Sequence, residues 1–251
     1  NILTGANYFA GLEVTRGSTL VIGGTGTLTS KGGSNSAGIG ASGNDGNTYT
    51  STLGTIIINS GTINANGGRN GAGIGDARVG EGGTVIINGG NIFARSDGNG
   101  TGIGGGGSDT ITAANYTGMF VTVNGGIISV GGSIADIGWG KDMNTNSKLA
   151  IYGGSIHHVN SKGKGAGEEP TKDTHINVSL DVKSIPSIDA VYVDGMDQHI
   201  TGFHSRVLGT QSNTIALQLY MTKDQAHTIE IVSGSTTYTY SVINNTAALL
   251  S

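Results

Sequence analysis

Short apolar runs separated by glycine recur through the first 160 or so residues, always in the same order. The order is clearest from Gly71 to Ile92. Gly71-Ala72-Gly73-Ile74-Gly75 leads into a polar loop, then Val85-Ile86-Ile87, an Asn88-Gly89-Gly90 turn, and Asn91-Ile92-Phe93-Ala94. Aligned on the apolar residue of the leading phrase, Leu12, Ile39, Ile74, Ile103 and Ile137 fall in register. Their spacings are about 27, 35, 29 and 34 residues, a range that marks repeat architectures. Each is followed by an apolar run: Leu20-Val21-Ile22, Ile56-Ile57-Ile58, Val85-Ile86-Ile87, Val121-Thr122-Val123 and Leu149-Ala150-Ile151. A turn and another short run follow, starting near Thr27, Thr62, Asn91, Ile127 and Ser155.

Each repeat thus predicts three short strands. Runs of three to five residues are too short for helices, and this density of glycine would penalise a helix heavily. One such unit buries almost nothing alone. Stacked copies bury a continuous apolar column and pair each strand with its equivalents above and below. The predicted fold is all-β: a right-handed parallel β-helix of about five to six coils, roughly 25 Å long at ~4.8 Å per rung. Asn59, Asn88 and Asn124 occupy the corner between the second and third strands. Asn tolerates the left-handed backbone a corner needs, so these three are expected to stack and hydrogen-bond as a ladder.

The repeat decays after Val159. Gly165-Ala166-Gly167-Glu168 sits where a sixth phrase is due, with Glu168 in place of the apolar residue. One degenerate final coil is expected over 174–182. From Ser187 glycine thins out and alternating strands appear near 190–193, 215–220, 228–232 and 236–242, with a hairpin signal at Val232-Ser233-Gly234-Ser235-Thr236. The expected division is a parallel β-helix over residues 1–182 and a small antiparallel β cap over 183–251, covering the open end of the helix against edge-to-edge association. The short lead-in, Asn1 to Phe9, suggests a longer parent protein upstream.

Composition supports this picture and narrows the partners. Glycine accounts for 47 of 251 residues and proline for 2, without the strict Gly-X-Y period of collagen. The formal net charge is −4 and basic residues do not cluster, which gives no footprint for nucleic acid. No apolar run reaches the ~18 residues of a membrane span. There is no cysteine, which removes disulfides and thiolate chemistry.

The phrases Gly71-Ala72-Gly73-Ile74-Gly75 and Thr84-Val85-Ile86-Ile87-Asn88-Gly89-Gly90-Asn91-Ile92 resemble the Gly-rich repeat regions of large bacterial surface proteins. The resemblance spans about residues 10–160. It implies a parallel β-helix, an extracellular or cell-surface location, and a role in adhesion or carbohydrate binding. More distantly, the Asn corner and three-strand coil are similar to the pectate-lyase-like β-helix. Enzymes of that family keep their chemistry on the outer face of the strand before the long variable loop, which corresponds here to the Ala-Gly-Ile-Gly phrase.

That face argues against the family's activity. With the Ile inward, the flanking glycines are expected to face outward and leave the surface bare. Its only carboxylates, Glu13 and Asp136, lie four rungs apart, roughly 19 Å, whereas glycoside hydrolysis needs about 5–9.5 Å. No residue is assigned a catalytic role on this basis, and no metal or cofactor is expected. His157 and His158 alternate on a strand and point to opposite faces. Glu168-Glu169 and Lys162-Lys164 read as a solvated loop. Gly104 to Gly107 lacks the helix and Lys of a phosphate loop.

Interest moves to the loops that follow the Ile column, because all leave from one edge and should form one surface. They hold Tyr49, Asp76, Arg78, Glu81, Asp109, Tyr116, Trp139, Lys141 and Asp142. The candidate ligand-binding set is Tyr49, Asp76, Arg78, Glu81, Tyr116, Trp139 and Asp142, aromatic platforms beside acids of the kind that suit carbohydrate. The tyrosines could equally fold back to shield the glycine face. The expected function is a non-enzymatic extracellular binding or adhesion module, with polysaccharide or host glycan as partner and no insertion in a membrane. The rivals are a polysaccharide lyase or glycoside hydrolase using loop residues, and a purely structural stalk.

Overall fold

The computed structural model describes residues 1–43, 52–107, 118–139, 147–158, 175–200, 216–223, 225–243 and 246–251. These residues form strands and turns and no helix. Three sheets are built from stacked parallel strands, and a fourth is antiparallel, an arrangement compatible with a parallel β-helix carrying a C-terminal cap.

Sheet 1 stacks Leu12–Glu13, Ile39–Gly40, Ile74–Gly75, Ile103–Gly104 and Ile137–Gly138. Leu12 pairs with Ile39, Ile39 with Ile74, Ile74 with Ile103 and Ile103 with Ile137, so the alignment read from the sequence is the structural register. Sheet 2 stacks Thr19–Ile22, Thr55–Ile58, Gly82–Ile87, Gly118–Val123 and Lys148–Ile151. Sheet 3 begins with Ile2–Thr4, Thr27–Lys31, Thr62–Gly67, Asn91–Ser96, Ile127–Gly131 and Ser155–His158, all parallel. Each repeat contributes one strand to each of sheets 1, 2 and 3, here called a coil, and five such sets are present among the described residues.

Side chains alternate along each strand, and the inward set closes one core. Ile39, Ile56, Ile58, Ile74, Ile87 and Ile103 are fully buried in it. Leu12, Leu20, Ile22 and Leu28 of the first coil pack against it only partly buried. Leu12, Leu20 and Ile22 have a neighbouring rung on one side only.

The glycines of sheet 1 correct an expectation. Gly38, Gly40, Gly73, Gly75, Gly102 and Gly104 are buried, as is Asp136, so this is no bare outer face. Gly75 has a φ of 137°, a region that favours glycine, and a Cβ there would lie 2.0 Å from the Gly104 carbonyl oxygen. At Gly73 a Cβ would strike the backbone nitrogen of Arg95 at 2.5 Å. Glycine is needed because backbone occupies the space on both sides.

The corner ladder forms as read. Asn88 Nδ2 donates to Asn59 Oδ1 at 2.8 Å and Asn124 Nδ2 to Asn88 Oδ1 at 2.7 Å. A second, half-buried ladder precedes sheet 1: Asn70 Nδ2 donates to Asn35 Oδ1 at 2.7 Å and Asn99 Nδ2 to Asn70 Oδ1 at 3.0 Å.

The expected degenerate final coil is not parallel. His175–Asp181 runs antiparallel to Ala216–Thr222, which itself meets Ser155 of the fifth coil through Leu219. Together they lengthen sheet 3 by an antiparallel pair. Sheet 4 orders Met196–Asp197, Ala190–Val193, His227–Ser233, Thr236–Ile243 and Thr246–Leu249, including the hairpin read at Ser233 to Thr236. Val178, Leu180, Leu217 and Leu219 of the pair share a second core with Val191, Ile229, Ile231 and Val242 of sheet 4. Buried His227 fastens the two layers: Nδ1 lies 2.6 Å from Asp194 Oδ2, and Nε2 lies 2.7 Å from the Thr222 carbonyl.

The gradient of burial along the stack predicts unequal losses in chemical denaturation. Ile74→Ala is expected to cost about 2–5 kcal/mol, as fully buried truncations do, and Leu12→Ala clearly less. Equal losses at the two positions would contradict a core that is sealed at Ile74 and open at Leu12.

Candidate functional site

The loop edge proposed from sequence is described only in part. Tyr49, Tyr116 and Asp142, together with Asp109 and Lys141, lie outside the described residues. The others are taken up by the fold. Trp139 is 3% exposed and packs in the main core, so it offers no surface platform. Its place in the repeat explains this: it directly follows Gly138 of sheet 1, where Ala41 and the likewise buried Asp76 stand in other coils.

Asp76 is also interior. Its Oδ1 accepts the Ala77 N–H and its Oδ2 the Gly82 N–H, both at 2.9 Å. The loop from Ala77 to Gly82 wraps this carboxyl. Val79 takes a positive φ of 58°, and a Cβ at Gly80 would collide with the carboxyl group. Burial pushes the Asp76 carboxyl up to about 7, against the pull of the Gly82 and Ala77 N–H groups, with nearby Glu81 adding to the rise. Glu81 is half-buried and receives Arg16 Nη2 and Thr52 Oγ1, each at 3.0 Å, tying the loop back to the first coil. Arg78 is half-buried, and its backbone N–H donates to Asn35. This part of the edge is a structural knot, and the expected acid-lined surface does not include Asp76.

A different site lies on the opposite side of the repeat, at the corner between sheets 2 and 3. Its origin is in the turn glycines. The second residue of each turn, Gly24, Gly61, Gly90, Gly126 and Gly154, has a φ between 92° and 103°, so backbone conformation demands glycine there. The first residue has another reason. Sheet 4 reaches back along this corner, and a Cβ at Gly125 would lie 2.5 Å from the Gln198 carbonyl oxygen and one at Gly89 3.1 Å from the His199 Cβ. Gln198, 6% exposed, is the anchor. Its carbonyl accepts the Gly126 N–H at 2.9 Å and its Oε1 the Gly154 N–H at 3.1 Å. Its Nε2 donates to the Met196 carbonyl at 3.0 Å.

The anchor grips the fourth and fifth coils, and the contact loosens toward the first. In the second coil Ser60 replaces the first glycine. Its hydroxyl accepts the Gly24 N–H at 2.8 Å, bridging two coils instead of meeting sheet 4. The wedge left behind is a cleft of about 440 Å³. The stack supplies Thr25, Asn59, Ser60, Thr62 and Asn91 to one wall, and the C-terminal segment supplies Asp189, Asp197 and His199 to the other. Asp189 Oδ2 accepts the Gly234 N–H at 2.6 Å. Asp197 accepts the His199 N–H at 2.7 Å and faces His199 Nδ1 at 3.5 Å. His199 holds a left-handed φ of 53°, which turns it back over the corner. Among the described residues, no three acids or histidines converge as metal ligands.

Sequence reasoning missed this cleft. One signal was available: two consecutive glycines where the turn requires one, with the pattern broken only at Ser60. Compared with protein-family models, curated proteins and solved structures, the chain matches none of them.

Two outcomes are expected. The folded Asp76 carboxyl, at about 7 against an ordinary 3.8, keeps a proton that the unfolded chain releases. Its contribution to stability is therefore complete below about pH 4, and it is lost as pH rises to about 7. The full span corresponds to roughly 4 kcal/mol. Urea midpoints measured across pH 4–8 should fall more steeply for the wild type than for Asp76→Asn, and parallel slopes would refute the assignment. Separately, Gln198→Ala leaves the Gly154 N–H without its partner, a loss of about 1–3 kcal/mol. Amide exchange should quicken at Gly154 and over 190–199 while Ile74 and Ile103 stay protected.

Proposed function

We propose that this chain is an extracellular binding or adhesion module of a bacterial surface protein, that it is non-enzymatic, and that its ligand is a glycan. In this reading the stack is a right-handed parallel β-helix that displays its C-terminal sheet beside a binding cleft. The observation that carries it is the cleft lining. Hydroxyls (Thr25, Ser60, Thr62), amides (Asn59, Asn91) and carboxylates (Asp189, Asp197) meet in one space, and its volume lies within the range of small-ligand sites. Sugar hydroxyls both donate and accept, so a wall of mixed polarity satisfies them, whereas an apolar ligand would leave these groups unpaired.

The same residues disfavour turnover. Asp189 and Asp197 each already accept a backbone N–H of their own segment, a holding role. The loop edge no longer leads, because Asp76 and Trp139 are interior.

The test joins a glycan array to reducing-sugar and unsaturated-product assays. Binding without turnover, reduced by Asp189→Ala, supports the proposal. Turnover abolished by Asp189→Asn or Asp197→Asn would make the protein a hydrolase or lyase. Failure to bind any glycan would leave a structural stalk.

A further inference from the structure

We infer that the cleft, taken as the glycan site proposed above, selects neutral sugars through the donor end of the asparagine ladder. The ladder has a direction. Asn124 Nδ2 donates to Asn88 Oδ1, and Asn88 Nδ2 donates to Asn59 Oδ1. Asn59 therefore has its oxygen engaged, while its Nδ2 has no hydrogen-bond partner among the described residues. Asn59 is the member that lines the cleft. Chains of hydrogen bonds polarise one another, so the terminal NH₂ is a better donor than an isolated amide.

The facing wall has the opposite character. Asp189 and Asp197 offer carboxylate oxygens, and among the described residues no Lys or Arg lines the space; of those, His199 alone can carry positive charge, and it faces Asp197 at 3.5 Å. A sugar hydroxyl fits between these walls. Its oxygen accepts from Asn59 Nδ2, and its hydrogen is donated to a carboxylate. A uronate or sialate would place its own carboxylate against Asp189 and Asp197 with no Lys or Arg among the described lining residues to offset it, which is repulsive at short range. The fixed direction of the ladder thus gives a structural feature a recognition role at one end only.

Substitution along the ladder separates recognition from folding. Asn59→Asp keeps an oxygen to accept Asn88 Nδ2 and replaces only the free donor with an acceptor. Asn124→Ala removes a donor from the ladder at a position outside the cleft lining and leaves no acceptor there to reverse the direction of the Asn88–Asn59 bond. Titrations of wild-type and variant protein, followed by calorimetry and amide chemical shifts, would use neutral gluco-, galacto-, xylo- and manno-oligosaccharides beside oligogalacturonate and sialyllactose. The expected result is binding of a neutral sugar with shifts at residues 59–62 and 189–199. Asn59→Asp should weaken it by about tenfold or more with an unchanged melting temperature, and Asn124→Ala should leave affinity within about twofold. Neutral-sugar binding that Asn59→Asp does not weaken, or binding of the acidic sugars at the cleft, would overturn the selectivity while leaving the glycan reading intact. Absence of binding by every sugar would remove both.

Discussion

The stack depends on one close approach. At Gly40, Gly75 and Gly104 the next coil's carbonyl oxygen lies where a Cβ would stand, 1.7–2.0 Å from its ideal position. A side chain at any of them would force adjacent coils apart. With glycine there, the coils settle at hydrogen-bonding distance and equivalent residues fall directly over one another. The Ile column of the core, the two asparagine ladders and the aligned corner turns all follow from that superposition. The same constraint removes sheet 1 as a functional surface, because the space an exposed side chain would need is filled by backbone.

Superposition also governs how the C-terminal segment joins the stack. The antiparallel pair lengthens sheet 3 after the fifth coil, and sheet 4 packs on that pair through a core of its own. From there the segment through Gln198 and His199 runs back along the corner. It contacts the stack where the first turn residue is glycine, at Gly89, Gly125 and Gly153. Where Ser60 occupies that place the contact gives way to the cleft. The site thus lies where the C-terminal segment, gripped at one end by Gln198, runs alongside the stack. Ligand chemistry and architecture share the same corner, since the ladder that ties coils together also ends in the cleft.

Much of the stack was legible because a repeat reports its own register. Ile39, Ile74, Ile103 and Ile137 align by spacing alone, and their strands pair in that alignment. Asn59, Asn88 and Asn124 form a ladder because equal positions in equal coils must meet. Asn35, Asn70 and Asn99 obey the same rule, each four residues before the phrase Ile, and form the second ladder. Polarity misled where the repeat is not uniform. Asp76 carries a group that ordinarily stays at a surface and Trp139 a ring expected as a loop platform, yet both follow the phrase glycine on the inside of the coil. Asp76 is tolerated there because Ala77 and Gly82 supply N–H donors to its carboxyl.

The sequence by itself determined the all-β class, the coil length, the inward column and the hairpin at Ser233 to Thr236, because each is set by spacing and by local backbone preference. Only the tertiary structure decided that the sheet 1 glycines are buried, that the segment after the fifth coil turns antiparallel, and that Asp189, Asp197 and His199 face Asn59 across a cleft. The first two depend on contacts between successive coils and between strands brought together after the repeat ends, and the cleft on residues more than a hundred positions apart. No periodicity links the two partners, so their meeting is settled by how the second core packs against the first.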